Sequence, residues 1–108
     1  MIKVTYYRNQ HRLTVEGHAG SGANGHDLVC SAASVLTYTL ASFVSNMAAA
    51  GQLKAKSIKL DEGNARVSCK TKAKHDSAVT LVFDSICAGF ELLHENYPTY
   101  VMYEIMHH

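Results

Sequence analysis

The sequence predicts an α+β domain of order ββαββαβ, a mixed, mostly antiparallel sheet with both helices packed on one face. Three observations lead there. Strand-like alternation occupies residues 2–7, 12–18 and both sides of a tight turn at Glu62-Gly63-Asn64. Two longer runs, from Leu28 and from Ser77, repeat instead with the helical period. Pro98, the one proline of the chain, then divides the second of these from a closing apolar segment, "YVMYEIM".

Taken in order, "IKVTYY" combines β-branched and aromatic residues in alternation and reads as the first strand. "RNQHR" makes a polar turn. Residues 12–18 form a second strand, with Leu13 and Val15 on one face and Thr14 and Glu16 on the other. From Leu28 the apolar positions Val29, Ala33, Leu36, Leu40, Phe43, Val44 and Met47 share one helical stripe, and Gly51 is a plausible stop. "KSIKLDEGNARVSCK" reads as strand, turn and strand. Ser77 to Tyr97 form the second helix, with Val79, Val82, Phe83, Ile86, Phe90 and Leu93 toward the core. Pro98 cannot continue it, and the last strand follows.

At 108 residues the chain has room for one hydrophobic core and one domain, 1–108. An apolar fraction of 47% with 18% charged residues is that of an ordinary globular chain. A net charge of +1 demands neither nucleic acid nor an anionic membrane. Lys54, Lys56 and Lys59, and then Lys70, Lys72 and Lys74, read as solvated hairpin faces or as a patch open to an RNA-associated partner. The amino terminus lacks an export signal, and the apolar runs are broken by Ser, Thr and Asn before membrane-spanning length, so no membrane partner is expected. Cys30, Cys69 and Cys87 are an odd set without close pairs, which implies free thiols in a reducing compartment and a cytoplasmic location. Cys69 and Cys87 read as small buried hydrophobes. His107 and His108 are native residues or the remnant of a purification tag, and carry no argument.

One stretch does not behave as ordinary structure: "GHAGSGANGHDLVCSAAS", residues 17–34. Asp27 is a favoured N-cap, which makes Leu28 the first helical residue and Cys30 the third. A thiol there meets unbonded backbone N–H groups and the positive end of the helix dipole, both of which favour a thiolate. A histidine brought near it completes an activated nucleophile. Gly20, Gly22 and Gly25 permit a returning loop and leave N–H groups uncovered for peptide carbonyls or an oxyanion. Blander readings stand beside these. Cys30 can be a buried hydrophobe, His18 a solvated residue at a strand end, and Asp27 a cap alone. Ser34 can simply bond a backbone carbonyl.

"GHAG…G-x-D-L-V-C-S-A-A-S" resembles the signature of the ribosomal-processing cysteine protease family, and the similarity covers essentially the whole chain. The resemblance implies an endopeptidase that removes a short N-terminal extension from the large-subunit ribosomal protein numbered twenty-seven. By position, Cys30 is then the nucleophile and His18 the base and later the acid. Asp27 and Ser34 support them, and the glycine-rich segment with Gly17, Ala19, Gly20, Gly22 and Gly25 orders over the peptide. The family also implies a homodimer, no cofactor and no direct need for nucleic acid. His26, at the signature's variable position, adds a second imidazole near the site. Two other functions remain open on the residues alone. One is a metal site built from His18, His26, Asp27 and Cys30, although no tight pair anchors it. The other is a non-catalytic module that meets ribosomal components through its lysines.

Overall fold

A computed structural model describes residues 1–18 and 26–107, with the backbone alone at positions 26 and 27. Strand β1 (Ile2–Tyr7) leads through a 3-10 turn at Arg8–Gln10 into β2 (Arg12–Gly17). Helix α1 (His26–Ala49) precedes the hairpin β3 (Leu53–Asp61) and β4 (Asn64–Thr71), and α2 (Asp76–Asn96) precedes β5 (Val101–Met106). The five strands form one open sheet in the order β3-β4-β2-β1-β5. Every pairing is antiparallel except β1 with β5, which runs parallel from Ile2 opposite Val101 to Tyr7 opposite Met106. The predicted class and element order are those observed.

The two helices touch each other and cover the same sheet face. Ile2, Val4 and Tyr6 of β1, Leu13 of β2, Val67 and Cys69 of β4 and Val101 of β5 supply the sheet's share of the core. Val29, Ala33, Leu40, Val44 and Met47 answer from α1, and Val79, Phe83, Cys87 and Phe90 from α2. Leu36 and Phe43 of the expected α1 stripe are half-buried at its margin, as are Val82, Ile86 and Leu93 on α2. Thr37 is buried on the α1 stripe although polar, because its hydroxyl donates to the Ala33 carbonyl at 2.8 Å. Gly51 ends α1 as expected. At φ +73° its N–H reaches the Ala48 carbonyl, while the Gln52 N–H reaches that of Met47, a Schellman closure.

Two expectations need correction. Helix α1 begins at His26, so Asp27 is its second residue and not its N-cap; the capping position falls at residue 25, outside the described residues. Cys30 is therefore the fifth helical residue, one beyond the turn whose N–H groups lack partners. The apolar runs are also less broken than they read. Leu28–Ala49 and Ala73–Asn96 each contain an 18-residue window apolar enough to cross a membrane, with mean hydropathies of 1.6 and 1.3, of which 33% and 28% is buried within the fold.

At the far end of the core from residues 17 and 18, Asp84 joins α2 to β1. The Tyr6 hydroxyl donates to its Oδ1 at 2.8 Å, and Arg8 grips both oxygens, Nε to Oδ1 and Nη2 to Oδ2, each at 3.0 Å. The Arg8 hydrogen bonds, aided by Tyr6, hold the Asp84 carboxyl below its ordinary range. A carboxyl whose folded pKa is depressed stabilises the fold above its unfolded pKa and loses that contribution as pH falls through the folded value. Acid titration of the wild type should thus show a loss of stability below the usual carboxylate range. Asp84→Asn should flatten that limb, and thermal melts from neutral to strongly acidic pH measure it. Phe83, fully buried with its ring stacked 6.1 Å from that of Tyr6, should cost about 3–5 kcal/mol on replacement by alanine in denaturant titrations.

Candidate active site

Strand alternation alone puts His18 opposite Leu13 and Val15. That argument stops at Gly17, whose φ of +93° turns the chain out of the extended path. Gly17 also has no room for a side chain, since a Cβ there would lie 2.3 Å from the Met1 carbonyl oxygen. Its N–H donates to the Gly63 carbonyl at 2.9 Å, tying the end of β2 to the β3–β4 turn. His18 follows directly, exposed, with its ring against Gly63.

Cys30 arrives from the other side. Val29 is fully buried and anchors the start of α1 in the core, leaving the next residue half-buried at its edge. His18 and Cys30 consequently line one cavity of about 490 Å³. Ser34, one turn beyond Cys30, and Thr37 and Tyr38 continue the α1 wall. Ile2, Val15 and Gly17 contribute from β1 and β2, and residues 60–65 of the hairpin form the opposite wall.

Of the residues predicted for the site, the structure brings together His18, Cys30, Ser34 and Gly17. Gly17 has committed its N–H to Gly63, so what it offers is a turn rather than a free donor. Ala19, Gly20, Gly22 and Gly25 lie outside the described residues, as do the side chains of Asp27 and His26. Among the described residues no cluster of three or more His, Cys, Asp or Glu is placed to hold a metal. The hairpin wall, with Asp61, Glu62 and Gly63, went unpredicted. Its signal was present in the tight turn at Glu62-Gly63-Asn64, but only the sheet order β4-β2 brings that turn beside His18.

The remaining thiols differ in kind. Cys69 is buried, and burial with the nearby Asp76 carboxylate pushes its pKa up to about 11. Burial likewise pushes Cys87 up to about 12, with Asp84 adding to the rise and a hydrogen bond with Tyr103 opposing it. Both are the small core hydrophobes that their positions predicted. A larger cavity of about 600 Å³ opens where β2 begins, lined by His11, Arg12, Lys56, Arg66, Cys69 and Lys70 among others. Its histidine is committed, with Nε2 2.7 Å from the Thr80 hydroxyl, and its thiol is held neutral. Among the described residues, the smaller cavity is the one lined by both a histidine and the half-buried cysteine.

The same arrangement of elements is found in known proteins. The protein SMU.848 from Streptococcus mutans superposes with a TM-score of 0.68 at 25% identity, over 99% of this chain and 93% of that one. The essential ribosomal processing protease Prp from S. aureus, solved with a covalently linked product peptide, superposes at 0.67 with 18% identity, covering 96% of each chain. Its complex with a substrate peptide gives the same score at 17% identity, again over 96% of both chains. No curated protein sequence matches. The profile of the family described as cysteine protease Prp, however, matches residues 1–102, and the chain belongs to that family.

Proposed function

We propose that this protein is a cysteine endopeptidase that removes a short N-terminal extension from a large-subunit ribosomal protein, with Cys30 and His18 as its catalytic pair. The observation that carries this reading is the shared cavity. Two residues twelve positions apart in sequence, a half-buried thiol and an imidazole, face one space large enough for a peptide segment. The S. aureus protein of the same fold is a ribosomal processing protease solved with a substrate peptide and with a covalently linked product peptide, which supports a ribosomal-protein substrate here.

In this mechanism His18 takes the Cys30 proton, and the sulfur attacks the scissile carbonyl carbon. The carbonyl π pair moves to oxygen and gives a tetrahedral oxyanion. Collapse re-forms the carbonyl and expels the amine, which leaves with the proton held by His18. The product at that point is a thioester on Cys30. Water, deprotonated by His18, then attacks the thioester and releases the excised extension as a carboxylic acid, returning the proton to sulfur. Ser34, one turn beyond Cys30, supports the pair from α1, and the family resemblance assigns Asp27 and the glycine-rich segment to supporting and peptide-binding roles. With Cys30 past the first turn of α1, activation rests on His18 more than on the helix dipole.

The absence of disulfides among the three cysteines supports a reducing, cytoplasmic setting. Outward-facing Leu28, Val35 and Tyr38 on α1 and Leu81 and Leu92 on α2 support a homodimer, since each is more than half exposed. A second reading has one observation in its favour. Arg12, Lys56, Arg66 and Lys70 crowd the larger cavity, a setting suited to an anionic ribosomal component. Salt-dependent RNA binding that persists in a variant without Cys30, together with no cleavage by the wild type, would favour that reading.

Incubation with the ribosomal protein carrying its extension, followed by mass spectrometry, tests the main proposal. Wild type should release one N-terminal fragment. Cys30→Ala should release none while melting within a few degrees of wild type, because the side chain lies at the core's edge and leaves little cavity. Full turnover by that variant would remove Cys30 from the chemistry. A dilute alkylating agent at neutral pH should label Cys30 well before Cys69 and Cys87, whose burial and raised pKa values keep them as neutral thiols. Peptide mapping that finds all three labelled equally in the folded protein would contradict this assignment.

A further inference from the structure

We infer that Gly63 is a positioning residue for the His18 imidazole: the bare Cα of the β3–β4 turn is the surface on which that ring rests. This goes a step beyond the catalytic pair and depends on His18 being its base. Two independent requirements meet at Gly63. The first is conformational. Asp61 pairs with Asn64, so Glu62 and Gly63 form a two-residue turn, and Gly63 takes φ +74°. The second is spatial. A Cβ added there would lie 2.7 Å from His18 Nε2, 3.1 Å from Cε1 and 3.6 Å from Cδ2. The first of these distances is well inside van der Waals contact.

The neighbouring hydrogen bond makes the contact specific. Gly17 N–H to Gly63 carbonyl, at 2.9 Å, fixes the backbone immediately before His18 to the residue beneath its ring. Backbone on both sides is thus held, and the part free to yield is the imidazole itself, an exposed side chain. A methyl at Gly63 would therefore swing the ring off its seat and leave the hairpin standing. Misplacement of a catalytic group by about 1 Å can cost on the order of a hundredfold in rate.

The molecule contains its own control. Gly51 takes φ +73°, nearly the same backbone conformation, yet a Cβ there meets nothing within 4 Å. Gly51→Ala and Gly63→Ala share the cost of a positive φ, and only the second meets the ring. Gly63→Asn separates the two requirements further, since asparagine adopts positive φ more readily while still carrying a Cβ.

Kinetics on the ribosomal protein precursor, with melting curves for each variant, test the inference. Gly63→Ala and Gly63→Asn should lose at least about tenfold in kcat with KM within about twofold, whereas Gly51→Ala keeps its kcat. Melting temperatures of the two alanine variants should fall by similar amounts. Cys30 alkylation should slow in Gly63→Ala but not in Gly51→Ala. In a His18→Ala background, adding Gly63→Ala should slow it no further. If both Gly63 variants match Gly51→Ala in kcat, or if Gly63→Ala still slows alkylation once His18 is gone, Gly63 does not act through His18. If instead His18→Ala turns over like wild type, the catalytic pair itself is wrong and the positioning role falls with it.

Discussion

The burial of one sheet face beneath two helices fixes the helix positions of this protein and, through them, the place of its one half-buried thiol. The strands supply Ile2, Val4, Tyr6, Leu13, Val67 and Val101 to that face, and each helix must lay its apolar stripe upon them. Apolar area removed from water contributes roughly 25 cal/mol per Å², so the stripes set the helix rotations with little freedom. Helix α1 therefore enters the core through Val29, and Cys30 has nowhere to be but at the core's rim. The thiol's location follows from a valine's need for burial, and the proposed chemistry takes advantage of a boundary that packing created.

The histidine's location has a different origin. No stripe or packing demand carries His18 to the cavity; backbone geometry does. Gly17 turns the chain, its N–H is spent on Gly63, and the hairpin turn provides a floor. One half of the proposed pair is thus held by hydrophobic packing and the other by glycines and a hydrogen bond. These two kinds of support respond differently to change. Packing around Val29 tolerates swaps of similar volume, whereas Gly17 meets backbone on adding any side chain and Gly63 takes one only by displacing the His18 ring.

Much of this was legible in the sequence, and the reasons are physical. Period and alternation are local, so the five strands, both helices and nearly all of the core stripes could be read directly. Gly51 declared the end of α1 because a Schellman closure needs a residue tolerant of positive φ. The helix start was misplaced by two residues because Asp27 has the chemistry of a cap but lies within the first turn. What could not be read is non-local. That β2 pairs with β4, bringing residues 60–65 across from Cys30, is a matter of strand order, and nothing in the period of either strand encodes it. Thr37 escaped for a related reason: its polarity is hidden by a bond to its own helix, so a hydroxyl sits where the stripe called for a hydrocarbon.

The parallel pairing of β1 with β5 has a consequence for how the molecule comes into being. It joins Ile2 to Val101, and the Ile2 N–H donates to the Tyr100 carbonyl at 2.7 Å, so the first strand cannot acquire its second neighbour until the last has been made. Contacts across so long a separation raise the contact order and slow folding. During synthesis the hairpin and α1 can form early, but β1 waits with one edge bare, an aggregation-prone condition that only the arrival of β5 ends. The wall of the cavity that includes Ile2 is thereby among the last parts to settle. The cavity thus lacks its settled wall until the last strand has been made.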